Sequence, residues 1–226
     1  MEPLKITAAL QCGVIADAFL PIDGLIYYYA HREAYGVQDV TLPGQQAGVG
    51  PHIAIPLAKR NTDDPRRRWY YAASFAQWEG TVARGQDHWN KRFDQAHADL
   101  VSFGDRRGKV IVEAGAYRAY HMPVYYRHAL AVSWYVVGDP EHIERLLAHA
   151  THIGKKPAQG YGAVLRWSVE PWPHDWSVRG PGGQLMRAVP SSDGTGMLTG
   201  FRPSYWLPKN QARCHVPTYA EFAHDG

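Results

Sequence analysis

Hydrophobic and polar residues alternate near the start of the chain and then change to a helical spacing. The alternation runs over Leu4–Cys12 and predicts a half-buried β-strand. An apolar run at Leu25–Ala30 predicts a helix, with Asp23 as a candidate N-terminal cap and Gly36 as its end. The chain is therefore expected to begin with a strand followed by a helix.

The next feature is a predicted β-hairpin whose turn is flanked by cationic residues. His52–Ala58 and Trp69–Ala76 have strand patterns, and Asp63-Asp64-Pro65 forms a turn between them. Clustered cations beside aromatic residues favour binding of nucleic acid, although a solvated loop with charges paired to Asp63 and Asp64 is an alternative. The five cations that flank the turn are Lys59, Arg60, Arg66, Arg67 and Arg68.

The middle of the chain carries an apolar stripe at helical spacing. It predicts a helical insertion over Asp87–Val101 whose apolar side docks on the body and whose basic side is free. Two further strands are predicted at Val110–Tyr117 and Arg127–Val137, the second being rich in β-branched and aromatic residues. The stripe consists of Trp89, Phe93, Ala96 and Leu100.

A second helix is predicted from its start signals. Asp139 suits the N-terminal cap and Pro140 the first helical position. A strand over Ala163–Val169 is predicted beyond this helix. Residues 171–226 hold many Pro, Gly and aromatic residues without periodicity, so a long irregular segment that wraps on the core or a partner is expected.

The stretch His152–Trp167 begins with a glycine-rich loop, which leads from that helix directly into that strand. Glycine allows positive φ and close approach of another backbone, lysines attract phosphates, and tyrosine offers a face to a base. The loop therefore predicts a clamp for a nucleic-acid backbone. A plain connection is the alternative, and the Walker and dinucleotide-binding patterns are both absent from it. The clamp residues are Gly154, Lys155, Lys156, Gln159, Gly160, Tyr161 and Gly162.

Composition narrows the class of protein. Of 226 residues, 45% are hydrophobic, which is enough for a packed core, and no signal peptide or membrane-spanning apolar run is seen, so a cytoplasmic protein is expected. The net charge is only +3, but residues 59–118 hold twelve Lys and Arg against eight acidic residues, which suits a polyanionic partner. Cys12 and Cys214 have neither CxxC nor HxxxH neighbours, so no metal site and no cofactor are expected.

The order of predicted elements favours one fold class. Strand, helix, two strands with an insertion, another strand, helix and strand are compatible with an α+β fold of ferredoxin-like (RRM-like) type. Sheets of this type commonly present an open face to single-stranded RNA.

Several segments resemble a known superfamily. The Gly-Lys-Lys-x-x-Gln-Gly-Tyr-Gly loop that runs into a strand resembles the C-terminal glycine-rich loop of the RAMP superfamily of CRISPR-associated proteins. Tyr120-His121-Met122-Pro123 and Val136-Val137-Gly138-Asp139 look most like the Cas-five-like subunit of type IV CRISPR effector complexes. The resemblance covers roughly residues 4–170.

The resemblance implies a RAMP palm of ferredoxin-like type over residues 1–170, with a thumb inserted within 59–109 and an extension over 171–226. Such a subunit binds guide RNA, caps its 5′ handle and contacts neighbouring backbone and large subunits. Target DNA would be met indirectly or near the protospacer-adjacent motif, and no membrane is involved. If the two loop lysines and two hairpin arginines each neutralise a phosphate, affinity for RNA falls roughly 50-fold between 50 and 200 mM salt.

Two alternatives stand beside guide-RNA binding. A metal-independent RNA-processing endonuclease needs a general base, an acid and a cation for the phosphorane charge, which His31 or His52, Tyr35 and Lys59 would supply. A protein-only assembly scaffold would account for the aromatic-rich C-terminal segment but leaves the loop lysines unexplained.

Overall fold

The computed structural model describes residues 1–17, 19–36, 53–62, 68–80, 82–101 and 110–218. It consists of two helices, eleven strands and short 3-10 turns within these ranges. His52, Arg66, Arg67 and the predicted turn at Asp63-Asp64-Pro65 lie outside the described residues. None of the helices in the described ranges is long and apolar enough to cross a membrane.

A four-stranded antiparallel sheet forms the centre of the molecule. Its order is β4-β7-β1-β8, and β1 pairs antiparallel with both β7 and β8. Leu4, Ile6 and Ala8 of β1 are buried on the side that packs against the helices, as the alternation predicted. The elements of this layer are β1 (Glu2–Leu10), α1 (Ile22–Tyr35), β4 (Gln77–Glu79), β7 (Ala131–Gly138), α2 (Pro140–Leu147) and β8 (Val164–Pro171).

Both helices lie where the sequence predicted them, but one cap differs. Asp139 caps α2 by accepting the His142 backbone N–H at 3.3 Å, and α1 ends at Gly36, whose φ is 75°. The prediction of Asp23 as the cap of α1 is wrong, because Pro21 occupies that position and Asp23 lies buried in the first turn. Its carboxylate is used by the C-terminal segment instead.

The predicted helix over Asp87–Val101 is wrong, because its first third, Asp87–Lys91, belongs to a strand. β5 (Ala83–Lys91) pairs along its whole length with β6 (Tyr120–His128), and the two form a ribbon outside the central sheet. Gln95–Leu100 is a short 3-10 helix. Cross-strand partners such as Met122, opposite Trp89, cannot be seen in a local pattern.

The two strands predicted after this helix also differ from those in the structure. Residues 115–117 form a 3-10 turn, so the predicted strand Val110–Tyr117 is wrong, and the chain becomes extended only from Tyr120. The predicted strand Arg127–Val137 is divided between the end of β6 and β7. The hairpin is confirmed only in its second strand, because β3 (Trp69–Tyr71) lies within the predicted strand Trp69–Ala76. Its partner β2 (Lys59–Asn61) begins after the predicted strand His52–Ala58, and residues 53–58 hold no strand, so that prediction is wrong.

The C-terminal segment is more regular than predicted. A three-stranded sheet of order β10-β11-β9 contradicts the expectation of a wholly irregular wrap. Its strands have only two to five residues, too few to show a period in sequence. They surround a second small core that includes Phe75, Phe201 and Cys214. The strands are β9 (Val189–Pro190), β10 (Met197–Gly200) and β11 (Gln211–His215).

A buried arginine joins the two cores. Arg187 is fully buried and donates to the backbone carbonyls of Tyr71, of Ala73 at 2.9 Å and of Phe201 at 2.6 Å. Its guanidinium lies 3.6 Å from the carboxylate of Asp23, which also accepts the Tyr205 hydroxyl at 2.5 Å. The C-terminal segment is thereby tied to α1 and to β3.

Candidate nucleic-acid interface

The glycine loop, Ile153–Ala163, is seated on the segment that follows β1. The Lys155 N–H donates to the Ile15 carbonyl at 2.6 Å, and the Gly162 N–H donates to the Gly13 carbonyl at 2.9 Å. The Cys12 thiol donates to the Gly160 carbonyl at 2.9 Å. The backbone of the loop is therefore held by the chain itself.

The three glycines of the loop have different roles. A Cβ on Gly162 would lie 1.9 Å from the Ile153 carbonyl oxygen, and one on Gly154 would lie 2.4 Å from the Ile15 carbonyl oxygen. Gly160 has a φ of 86°, and no atom lies within 4 Å of the position that its Cβ would take. Two glycines thus permit internal packing, and only Gly160 leaves open space for a ligand.

We expect Gly162→Ala to destabilise the fold by about 2–4 kcal/mol, because its methyl group would overlap the Ile153 carbonyl and its φ of 73° is strained for alanine. Gly160→Ala carries the same φ strain without the overlap, so a loss of about 1 kcal/mol is expected. Urea unfolding of both variants measures the difference. Equal losses would contradict the packing role of Gly162.

The two loop lysines are at the surface, and each has a partner. The Lys155 Nζ donates to Asp17 at 2.6 Å, and both of these side chains are more than half exposed. Lys156 adopts the left-handed conformation with φ 61°, and its Nζ lies 3.1 Å from the centre of the Trp89 ring. The Trp89 ring is neutral, so the contact leaves the charge of Lys156 available to a phosphate.

Tyr161 joins the loop to the ribbon a second time. Its hydroxyl donates to the Asp87 carboxylate at 2.6 Å, and this hydrogen bond raises the pKa of Tyr161 to about 12. The same bond lowers the pKa of Asp87. The Tyr161 ring also lies 5.6 Å from that of Tyr126.

The β5–β6 ribbon is rich in aromatic and cationic side chains. Asp87 is the only acidic residue on its two strands, against three Lys and Arg. On the face that carries Trp89 and Asp87, Trp89 packs edge-on against Tyr120 and is 36% exposed. On the opposite face, the His88 and His121 rings stack at 4.1 Å. Flat exposed rings together with more cations than carboxylates suit a single strand of nucleic acid.

The described cations of the hairpin, Lys59, Arg60 and Arg68, do not join this surface. The Ala58 N–H bonds to the Val137 carbonyl, beside Gly138, which pairs with Glu2 at the start of β1. The glycine loop lies beyond the other end of β1, and a nine-residue strand spans about 30 Å. The described hairpin cations Lys59, Arg60 and Arg68 and the loop lysines are therefore at opposite ends of the central sheet.

The described hairpin cations have local partners. Lys59 lies over the Trp69 ring at 4.4 Å, and Arg60 pairs with Asp175 at 2.7 Å. Arg68 lies close enough to the Cys214 thiol to lower its pKa, but burial dominates and raises that pKa to about 11.

The residues considered for catalysis form no assembled site in the described part of the chain. His31 and Tyr35 lie one turn apart on α1, with ring centres 4.8 Å apart. No hydrogen bond or ring contact in the described ranges joins either of them to Lys59. Within these same ranges, no group of three or more His, Cys, Asp or Glu is placed to hold a metal ion.

Sequence reasoning missed the residues that position the loop. Asp17, Asp87 and Trp89 contact the predicted clamp residues, and Cys12 bridges the Gly160 carbonyl and the Ala163 N–H. Cys12, which the alternation over Leu4–Cys12 placed in the first strand, is half-buried beyond the end of β1. Only the folded structure reveals these roles, because it brings the segment after β1 and the strand β5 next to the glycine loop.

Comparison with known proteins gives one match that covers most of the chain. A family model described as CRISPR type IV associated protein Csf3 matches residues 2–217. No curated protein matches the chain.

Proposed function

The chain belongs to the Csf3 family of CRISPR type IV associated proteins, and we propose that it binds guide RNA where the glycine loop meets the β5–β6 ribbon. Family membership implies a place in a type IV CRISPR complex with other subunits. Within that complex, the proposed role is to hold the sugar-phosphate backbone of the guide while base pairing reads the target.

The junction of loop and ribbon is the observation that carries the proposal. Lys156 rests on Trp89, and Tyr161 bonds to Asp87, so a cationic loop and an aromatic ribbon form one continuous surface. Lys155 and Lys91 add two exposed cations to it. A phosphate beside Lys156 and a base on the exposed part of Trp89 are the contacts we propose.

We further propose that the core is a ferredoxin-like RAMP palm. The support is the chain order β1, α1, β4, β7, α2, β8 combined with the sheet order β4-β7-β1-β8, in which each helix follows a strand and returns to the same sheet. In this proposal the thumb is the β5–β6 ribbon, inserted between β4 and β7. The ribbon extends past the interval 59–109 favoured by the sequence, because its second strand begins at Tyr120.

More specific roles within the complex are proposed from the family membership of the chain and from its resemblance to RAMP-superfamily proteins. They are capping of the 5′ handle, contact with backbone and large subunits, and a position close to target DNA near the protospacer-adjacent motif in the cytoplasm. The endonuclease and the protein-only scaffold become outcomes of the experiment below, since no contact in the described residues favours either of them.

The test is binding of repeat-derived guide RNA at two salt concentrations. With Lys91, Lys155 and Lys156 on three phosphates, a slope of about −0.7 per contact predicts roughly 20-fold weaker binding at 200 mM than at 50 mM salt. A slope near zero, or no bound RNA after purification with neighbouring subunits, would contradict the proposal and favour a scaffold.

The same RNA incubated in EDTA tests the enzymatic alternative. Uncleaved guide is the result expected of a binding subunit. A 2′,3′-cyclic phosphate product that disappears in a His31→Ala variant would replace the binding proposal with an endonuclease.

A further inference from the structure

One long edge of the central sheet is left uncovered by the described residues. β8 is the last strand in the order β4-β7-β1-β8, and no strand in the described ranges pairs with its outer side. At its start, the Val164 N–H donates to the Thr151 carbonyl, so that end is covered. The open stretch is therefore Leu165–Pro171, whose central residue is Ser168.

The backbone of this stretch is directed for pairing. The Trp172 N–H donates to the Pro3 carbonyl of β1 at 2.9 Å. Successive residues of a strand direct their N–H and C=O groups to opposite sides. Because Trp172 points to β1, the residues an odd number of positions before it point to the other side. The N–H and C=O groups of Trp167 and Val169 are therefore directed away from β1 and are available to another strand.

The side chains of the open stretch are complementary to themselves. Arg166 and Glu170 lie two residues on either side of Ser168, and both are exposed. In an antiparallel pairing of two copies with Ser168 on the two-fold axis, Arg166 faces Glu170 of the second copy. The same register places Trp167 opposite Val169 and Leu165 opposite Pro171.

We propose that two copies of this chain pair through the outer edges of their β8 strands, with Ser168 on the symmetry axis. Leu165 is 72% exposed, and long unpaired edges of this kind are surfaces for strand addition. Beside this edge is a groove between α2 and β8, lined by Ala148, Leu165, Trp167 and Val169. In the proposed pairing, this groove accommodates the Leu165, Trp167 and Val169 side chains of the second copy. The proposal concerns a surface outside the junction of loop and ribbon and stands apart from guide binding.

The test is the mass of the full chain in solution, measured by sedimentation velocity over a range of concentrations. We expect a dimer, and at least about tenfold weaker dimerisation for Arg166→Glu and for Glu170→Arg, because each brings two pairs of like charges together. The double variant Arg166→Glu/Glu170→Arg restores complementary charges and should restore the dimer. Lys209→Glu, an exposed control elsewhere, should leave it unchanged.

A cysteine cross-link tests the register. In this pairing the two Ser168 residues lie directly opposite each other, at a Cα separation of about 4.5 Å that suits a disulfide. Ser168→Cys should therefore form a covalent dimer under mild oxidation, whereas the exposed Ser192→Cys and the unchanged chain should not. A chain that stays monomeric up to about 0.1 mM, or a dimer unaffected by both single reversals and not cross-linked at position 168, would overturn the proposal.

Discussion

Replacing Arg187 with methionine should lower the free energy of unfolding by about 3–5 kcal/mol, because one partner of a buried ion pair is removed. The substitution leaves the carbonyls of Tyr71, Ala73 and Phe201 without their donor, and the Asp23 carboxylate without its counter-charge. Urea unfolding followed by tryptophan fluorescence measures the loss. Arg213→Met, at an exposed position on β11, is the control and should cost less than about 0.5 kcal/mol.

The pH dependence of that variant identifies the cause. Burial raises the pKa of Asp23, while Arg187 and the Tyr205 hydroxyl oppose the rise. When the pKa of an acidic group is higher in the folded than in the unfolded chain, the free energy of unfolding falls as pH rises above the unfolded-state pKa. Without Arg187 the pKa rises further, so the loss should be larger at pH 7 than near pH 4.

Asp23→Asn combined with Arg187→Met should recover part of the stability, since no charge is then left unpaired in the core. A loss that is independent of pH and additive in the double variant would contradict a charge-pair role. The methionine would then act only through packing.

Reversing both loop lysines, in Lys155→Glu/Lys156→Glu, should weaken guide-RNA binding on the order of 100-fold at low salt, because two phosphate contacts are lost and two repulsions added. The salt slope should also become shallower by about 1.4, which is about 0.7 for each lost contact. Filter binding at several salt concentrations gives both quantities.

A matched control separates local contact from net charge. Arg179→Glu/Lys209→Glu changes the charge equally, and both positions are exposed outside the loop and the ribbon. It should alter affinity by less than about fivefold. Equal losses for the two double variants would show that overall charge, and not the loop, controls binding.

Local pattern predicted the elements whose signals are local. Alternation predicted β1, and Asp139 with Pro140 predicted the start of α2. The strand β5 was taken for a helix because Trp89 and Phe93 have helical spacing, while its pairing with β6 joins residues more than thirty positions apart, such as Trp89 and Met122. Asp23 was taken for a cap because its actual partner, Arg187, is far from it in sequence and gives no local signal.

The candidate site was predicted in part for the same reason. The glycines and lysines of the loop stand together in sequence, so the loop could be singled out directly. Its supporting residues could not, because Asp17 and Cys12 precede it by more than 130 positions. The hairpin cations were grouped with the loop by charge alone, and the central sheet separates the described ones, Lys59, Arg60 and Arg68, from the loop.

The position of β1 has a consequence for synthesis of the protein. Leu4 pairs with Val136 on one side and with Pro171 on the other. The first strand therefore has no complete set of neighbours until β8 has emerged from the ribosome. Its apolar face, which carries Leu4, Ile6 and Ala8, therefore stays without a partner strand through most of translation, and contacts this distant in sequence also slow folding.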